Sequence, residues 1–343
     1  MVSRVRQEEA RKVWSERRIK HLQSLAGAMG KSPAEAVIES MGATSPPLVE
    51  EPKVILDYIV SDGAQVTRPS IDPYREPIET HIHLFSGKVR LSMPFIAKLD
   101  DLDEDLGRAV LRASYNLGTL TYYRGGGRGW LDGYEEAVLI DVDTASGMGG
   151  EEARRYAGLV VGHNSGERIR FTAAFGRMLG IPVVLRHPTS RNLNQIIHAT
   201  LSGVSGIMLD EDMDEGEEDL EVSLSEADTL LKEKGLRNRV SIIASSRRVR
   251  GADDIFKLMG LGADAVCFRD MVQVAVGEGD LETLQDRVEC LYLGLQKEVK
   301  LLAGAAGVSS LYTTLIGNRE LFRAINLDPS IRKRLRIKPG GVG

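Results

Sequence analysis

The stretch that decides the fold is residues 235–276, GLRNRVSIIASSRRVRGADDIFKLMGLGADAVCFRDMVQVAV. Residues 240–244 form an apolar, largely β-branched run that suits a strand buried on both faces. Gly251 opens a segment whose apolar residues recur at helical spacing, and residues 265–268 form a second strand. The pattern predicts a strand, a polar loop, a short helix, a strand and a loop. Adjacent βα loops of this kind are where parallel barrels usually hold a phosphate.

Strand and helix signals alternate along the chain from Met93 onward. Eight strands alternating with helices predict an α/β fold, and the number favours a closed (β/α)8 TIM barrel over an open sheet. The predicted strands are 94–97, 119–123, 137–141, 159–162, 183–186, 206–209, 240–244 and 265–268. The predicted helices are 104–116, 151–156, 167–179, 192–201, 223–234, 253–261 and 281–306.

Two extensions flank the predicted barrel, which spans residues 85–306. Residues 1–84 read as a helical and β arm, in which 4–44 are helical and Ser32 and Pro33 start a second short helix. Residues 307–343 read as a small helical cap with a basic tail. Ser309, Ser310 and Asn318 are its candidate helix starts.

Composition limits the class of protein. The chain has 343 residues, 42% hydrophobic and 27% charged, which is ordinary for a globular domain. A net charge of −5, a polar N-terminus and the lack of a long apolar run argue against nucleic-acid binding, a signal peptide and a membrane span. The two cysteines, Cys267 and Cys290, form no metal-binding cluster. These features predict a cytoplasmic protein with reduced thiols.

Several segments resemble one known family. They are RLSMPFIA (90–97), NLGTLTYYRGGG (116–127), IPVVLRH (181–187), SGIMLDED (205–212), residues 235–266 and KLLAGAAGVSSLYTTLIGNRELFRA (300–324). Together they resemble the FMN-binding synthase domain of glutamate synthase, especially its archaeal-type relatives, over about residues 85–325. The resemblance implies an FMN-linked oxidoreductase barrel, although this chain is a divergent member.

The resemblance assigns a basic residue at the end of the fifth strand to the flavin ring. That residue is Arg186 here, where the family usually has lysine, and its charge suits anionic reduced flavin. The alternative from the residues themselves is an ion pair between Arg186 and Asp210 across the barrel mouth. Both interpretations stay open at the level of sequence.

The phosphate corner departs from the family at several positions. Ser245 and Ser246 replace a glycine pair whose amides approach the flavin phosphate in the family, and Phe268 replaces a small residue. Hydroxyls, arginines and a helix N-terminus at Gly251 all suit an anion, whereas Asp270 opposes one. The remaining candidate anion ligands are Arg247, Arg248, Arg250 and Arg269.

Further candidates follow the second, fourth and fifth strands. The loop RGGGRGW (124–130) offers Gly125 and Gly126 for close backbone approach to a cofactor, with Arg124 and Arg128 as anion ligands; a flexible loop is the alternative. His163 and His187 end strands on the face where barrel chemistry occurs, which makes them candidate acid–base residues. Structural, hydrogen-bonded histidines are the alternative.

The acidic run DEDMDEGEEDLE (210–221) replaces the family's glycine- and histidine-containing substrate loop. Such a run favours a solvated loop over a cation site formed by Asp210, Asp212 and Asp214, and no metal ligands are assigned. His81 and His83 lack an evident third ligand for a metal. The family's three-cysteine segment is replaced by MVQVAVGEGD (271–280), so we expect no iron–sulfur cluster in this chain.

Three functions remain as hypotheses. The first is a divergent glutamate-synthase-like oxidoreductase with FMN at the barrel mouth and an altered phosphate site. The second is a catalytically degenerate, flavin-free barrel that acts as a subunit or ligand-binding module, because a fold alone does not carry activity. The third is a flavin-free enzyme that uses His163 or His187 on a phosphorylated metabolite. Expected partners are a small-molecule or phosphate-bearing ligand and a second copy or partner subunit, with neither nucleic acid nor membrane.

Overall fold

Eight parallel strands at the centre of the molecule pair in chain order, and the last pairs with the first to close a barrel. The computed structural model describes residues 13–27, 54–163, 165–190, 192–213 and 218–340. Its strands are β1 (Ile59–Ser61), β2 (Ile82–Leu84), β3 (Val89–Leu91), β4 (Phe95–Lys98), β5 (Leu120–Tyr123), β6 (Val138–Asp141), β7 (Gly158–Gly162), β8 (Val183–Pro188), β9 (Gly206–Asp210), β10 (Ser241–Ser245), β11 (Ala265–Phe268), β12 (Phe322–Ala324) and β13 (Lys338–Pro339). Strands β4 to β11 form the barrel.

Helices surround the barrel and connect its strands. They are α1 (Glu16–Ala26), α2 (Glu104–Leu117), α3 (Gly150–Ala153), α4 (Gly166–Leu179), α5 (Asn194–Leu201), α6 (Leu220–Glu233), α7 (Ala252–Leu261), α8 (Asp270–Val276), α9 (Leu281–Ala305) and α10 (Pro329–Leu335). Local sequence sets their ends: the Asp103 carboxylate accepts a hydrogen bond from the Leu106 amide at 2.9 Å, and Gly118 ends α2 with φ 65°. No described helix combines the length and apolarity that a membrane crossing needs.

The predicted barrel is confirmed, with strand ends that differ from the sequence prediction by at most two residues. The predicted loop after the eighth strand is wrong, because residues 270–276 form helix α8. This segment contains β-branched valines, which lower helix propensity, but Met271, Val272 and Val276 are buried against neighbouring helices. Tertiary burial therefore outweighs local propensity here.

Segments before and after the barrel pair in a small second sheet. Strand β1 pairs antiparallel with β12, with Ile59 opposite Ala324, and β13 extends the sheet. The C-terminal segment, which was predicted to be a helical cap, therefore contains helix α10 and also the short strands β12 and β13. The expected helix start at Ser32 and Pro33 lies outside the described residues, and the proposed domain boundaries remain predictions.

The hairpin of β2 and β3 closes the N-terminal end of the barrel. The Phe85 amide donates a hydrogen bond of 2.8 Å to the Ser241 hydroxyl at the start of β10, and the Phe85 ring is fully buried. A Cβ atom on Gly206 would clash with that ring. Glycine at the start of β9 therefore makes room for the plug.

We expect Phe85→Ala to lower the free energy of unfolding by about 3–5 kcal/mol, because it leaves a cavity at the end of the barrel. Chemical denaturation monitored by circular dichroism measures the change. The matched control is Tyr74→Ala, whose side chain is exposed and whose effect should stay within about 0.5 kcal/mol. Equal effects of the two substitutions would refute the role of Phe85 as a plug.

Candidate functional site

Asp210 lies at the centre of the C-terminal mouth of the barrel and is fully buried. Lys98 Nζ lies 3.1 Å from Asp210 Oδ2, and Arg186 Nε lies 2.6 Å from the same oxygen. The Ser245 hydroxyl donates to Asp210 Oδ1 at 3.0 Å. These four residues end strands β4, β8, β9 and β10, or lie near their ends, so the parallel barrel brings them together.

The charges of this cluster support one another. Burial alone would raise the pKa of Asp210, but Lys98 and Arg186 outweigh it and lower the pKa to about 2. Burial opposes protonation of Lys98, yet Asp210 and Asp212 raise the pKa of its amine above the usual value. Asp212 Oδ2 lies 3.3 Å from Lys98 Nζ. Lys98, Arg186 and Asp210 are therefore held in their charged forms, whereas burial raises the pKa of Asp212.

Two further groups extend this cluster toward β5. The Arg186 guanidinium carbon lies 5.8 Å from the centroid of the Tyr122 ring, a cation–π arrangement. The Tyr122 hydroxyl lies 3.3 Å from Asp141 Oδ2. Beside them, burial raises the pKa of Asp100 to about 6. Arg186 thus forms the ion pair with Asp210 that was one of its two sequence-level interpretations.

Asp270 occupies the anion corner predicted after the eighth strand. Arg247 Nε lies 3.0 Å from Asp270 Oδ2, and Arg269 Nε lies 3.0 Å from Asp270 Oδ1. Arg269 also contacts Asp101 Oδ2 at 2.8 Å. The carboxylates of Asp270 and Asp101 therefore balance the charges of the two arginines.

Glu211 and Asp212 fill the neighbouring part of the corner. Arg248 Nε donates to Glu211 Oε2 at 3.0 Å, and the Ser246 hydroxyl donates to the same oxygen. The Arg247 amide donates to Asp212 Oδ1 at 3.3 Å, and the Arg248 amide donates to Ser246 Oγ at 2.9 Å. Donors suited to a phosphate are thus engaged by acceptors within the chain.

Arg250 points away from the mouth toward the N-terminal arm. Its guanidinium lies 2.7 Å from Asp57 Oδ1 and 2.9 Å from Asp254 Oδ2, and the side chain is buried. Arg18 of α1 binds Asp253 with two contacts of 3.0 Å. Gly251 is buried beneath these pairs, so the arm covers the helix N-terminus that was predicted to face an anion.

The glycine loop after β5 is held by local contacts. The Gly125 amide donates to Thr144 Oγ1 at 3.0 Å, and a Cβ atom at Gly125 would collide with the Tyr123 ring. Gly126 faces open space. The Arg124 amide donates to Asp100 Oδ1 at 2.9 Å, and Arg128 lies 3.6 Å from Glu152. The loop is adjacent to the mouth, and its role as a cofactor ligand remains a prediction.

The two candidate histidines lie together at the mouth. Their ring centroids are 5.8 Å apart. His187 Nδ1 lies 2.7 Å from the Pro188 carbonyl oxygen, an acceptor, so Nδ1 carries the proton. Burial lowers the pKa of His187, which favours neutral imidazole at neutral pH. The Gln195 amide donates to the His163 carbonyl. These contacts suit structural histidines, and an acid–base role remains a prediction.

The sequence analysis did not single out Lys98, although a lysine directly after the buried strand FIA lies on the active face of a barrel. The position of Lys98 was a signal in the sequence from which its place at the mouth could have been predicted. The pairing of Arg250 with Asp57 could not be read, because the two residues lie 193 positions apart. Of the three residues considered for a cation site, Asp210 and Asp212 contact Lys98, and Asp214 lies outside the described residues.

The fold is a (β/α)8 barrel of the kind found in FMN-dependent oxidoreductases. It is similar to the flavin-binding domain of baker's yeast flavocytochrome b2, with TM-score 0.59 and 15% identity over 83% of this chain and 79% of that one. It is also similar to a mandelate oxidase variant, with TM-score 0.57 and 16% identity over 89% and 93% of the two chains. At these identities the likeness concerns the fold alone.

Sequence comparison identifies the family. The profile of the glutamate synthase central domain matches residues 12–94, and that of the conserved region in glutamate synthase matches residues 191–283. The archaeal glutamate synthase [NADPH] of Methanocaldococcus jannaschii is 25% identical over 85% of this chain and 80% of its own length. An archaeal-type relative from Dehalococcoides mccartyi is 23% identical over 83% and 78%. The chain belongs to the glutamate synthase family as a divergent member.

We expect Asp210→Asn to lower the free energy of unfolding by about 3–5 kcal/mol, because Lys98 and Arg186 would remain buried without their shared counter-charge. Denaturant unfolding at neutral pH measures this loss. The matched control is Asp132→Asn, at an exposed position, where we expect a change within about 0.5 kcal/mol.

The pH dependence of stability provides a second test of the ion pairs that Asp210 makes. The folded-state pKa of Asp210, about 2, lies below the value of about 3.9 for an unfolded chain. Its contribution is therefore complete above about pH 4 and is lost as pH falls toward 2. Asp210→Asn should flatten this part of the stability curve. An unchanged acid limb in the variant would contradict the assignment.

Proposed function

We propose that this chain is a flavin-free member of the glutamate synthase family, which acts as a subunit or ligand-binding module without redox chemistry of its own. One observation carries the proposal: the arginines at the predicted phosphate corner are ion-paired with carboxylates of the chain. Asp270 pairs with Arg247, Glu211 pairs with Arg248, and Asp57 pairs with Arg250.

The residues at this corner do not fit the phosphate of FMN. A phosphate dianion placed beside Arg247 and Arg269 would face the Asp270 carboxylate that both already contact. Like charges at such distances repel strongly where solvent is excluded. Glycine amides, which approach a phosphate closely, are replaced by Ser245 and Ser246, whose hydroxyls donate to Asp210 and Glu211.

Exposed apolar side chains support the subunit role. Phe171 and Met178 on α4 are 73% and 70% exposed, and Leu201 at the end of α5 is 62% exposed. The two helices contact each other on the outside of the barrel. Large apolar side chains grouped on a surface are typical of protein–protein contact sites.

We expect the purified wild-type chain to be colourless and to show no saturable binding of FMN or inorganic phosphate. Absorption in the flavin bands and isothermal titration calorimetry measure this. Asp270→Asn leaves Arg247 without its carboxylate and Arg269 with Asp101 alone. Each released charge-assisted hydrogen bond is worth about 1.5 kcal/mol or more, so the variant should show saturable phosphate binding, at least about tenfold tighter than any that the wild-type chain shows.

The matched control for this experiment is Asp132→Asn, which removes an exposed carboxylate and should leave phosphate binding unchanged. A yellow wild-type protein that retains FMN through purification would overturn the proposal. So would tighter FMN binding by the wild-type chain than by Asp270→Asn.

An FMN-dependent oxidoreductase is the second candidate. It is favoured by family membership and by Arg186, a basic residue at the end of β8 where the family resemblance places a flavin-facing charge. The flavin titration separates the two candidates, since only this one requires a bound flavin. Turnover with a bound flavin and a reduced nicotinamide would establish it.

A further inference from the structure

Three carboxylates converge between the end of β9 and the start of α6, beside the ion-paired centre. Glu211 follows β9, Asp219 precedes α6, and Glu221 lies in the first turn of that helix. One carboxylate oxygen from each residue lies within 4.8 Å of those from the other two. The fold thus brings together side chains that the sequence analysis treated as parts of a solvated loop.

Glu221 is the member that points to a ligand. Its side chain is buried, with the residue 4% exposed, and Oε2 has no hydrogen-bond partner in the part of the chain that the structure describes. Burial raises the pKa of this carboxyl to about 7. A buried carboxylate oxygen without a partner is costly, and such a group either takes up a proton or coordinates a cation.

The local charge leaves room for such a cation. Arg248 binds Glu211 and lies 3.9 Å from Asp219 Oδ1. Arg250, which also acts on Glu221, is committed to Asp57 and Asp254. With all three carboxylates ionised, one guanidinium leaves a double negative charge, which a divalent cation would neutralise.

The carboxylate oxygens are close enough to share one ion. Oxygen ligands bind Ca²⁺ at about 2.3–2.6 Å, so two ligands of one ion lie at most about 5 Å apart. The three oxygens lie within 4.8 Å of one another, inside that limit.

We propose that Glu211, Asp219 and Glu221 form a binding site for a hard divalent cation, for which Ca²⁺ is the probe. This site is a further one, independent of whether the barrel mouth binds flavin. The ion would join the end of a barrel strand to the start of the following helix.

Isothermal titration calorimetry of the full chain with CaCl₂, paired with thermal melting, tests the site. We expect saturable binding of one ion and a higher Tm. Glu221→Gln keeps the side-chain shape and should weaken binding at least tenfold, as should Asp219→Asn. The matched control is Glu233→Gln at the other end of α6, an exposed residue paired with Arg336, which should bind Ca²⁺ like the wild type.

Two results would overturn the proposal. They are the absence of saturable binding at millimolar Ca²⁺, and equal affinity in Glu221→Gln and the wild type. Equal affinity would attribute binding to the acidic run in general, since Glu221→Gln leaves its other carboxylates intact. Circular dichroism of both variants without Ca²⁺ checks that they are folded. Flavin binding is a separate measurement, so neither result decides the other.

Discussion

The ion pairs that Asp210 makes with Lys98 and Arg186 constrain the whole C-terminal mouth of the barrel. A buried carboxylate between two cations is tolerated only when each charge keeps its partner, since an unpaired charge in such a site costs several kcal/mol. The three residues end different strands. Closure of the barrel brings these strand ends together and thereby pairs the charges at the mouth. The Ser245 hydroxyl adds a hydrogen bond to Asp210.

The same principle extends outward from the centre. Asp270 and Glu211 neutralise arginines that would otherwise attract an anion, and Asp57 brings the N-terminal arm onto Arg250. In a flavin-binding barrel the negative charge at this corner comes from the ligand. Here carboxylates of the chain pair with the arginines of this corner, which is the basis of the proposal that the barrel is flavin-free.

The excess negative charge at Glu211, Asp219 and Glu221 contrasts with this balance. The centre pairs each acid with a base, whereas this cluster has more carboxylates than guanidinium groups. A flavin-free barrel and a cation site are compatible, because fold and function are separable and a barrel's βα loops carry most of its functional variation. The loop after β9, which departs most in composition from the family, is where the cation site is proposed.

The sequence by itself determined the barrel, since buried β-branched strands and amphipathic helices alternate with periods that local physics sets. It also placed Arg186, Ser245, Ser246 and Arg269 at the mouth, because the ends of parallel strands share one face. It missed helix α8 and the pairing of β1 with β12, which depend on burial and on contacts between distant segments. Only the tertiary structure decided which charge pairs with which. Arg250 could face an anion or the arm, and the choice rests on an Asp57 that lies 193 residues away and is brought within 2.7 Å by folding.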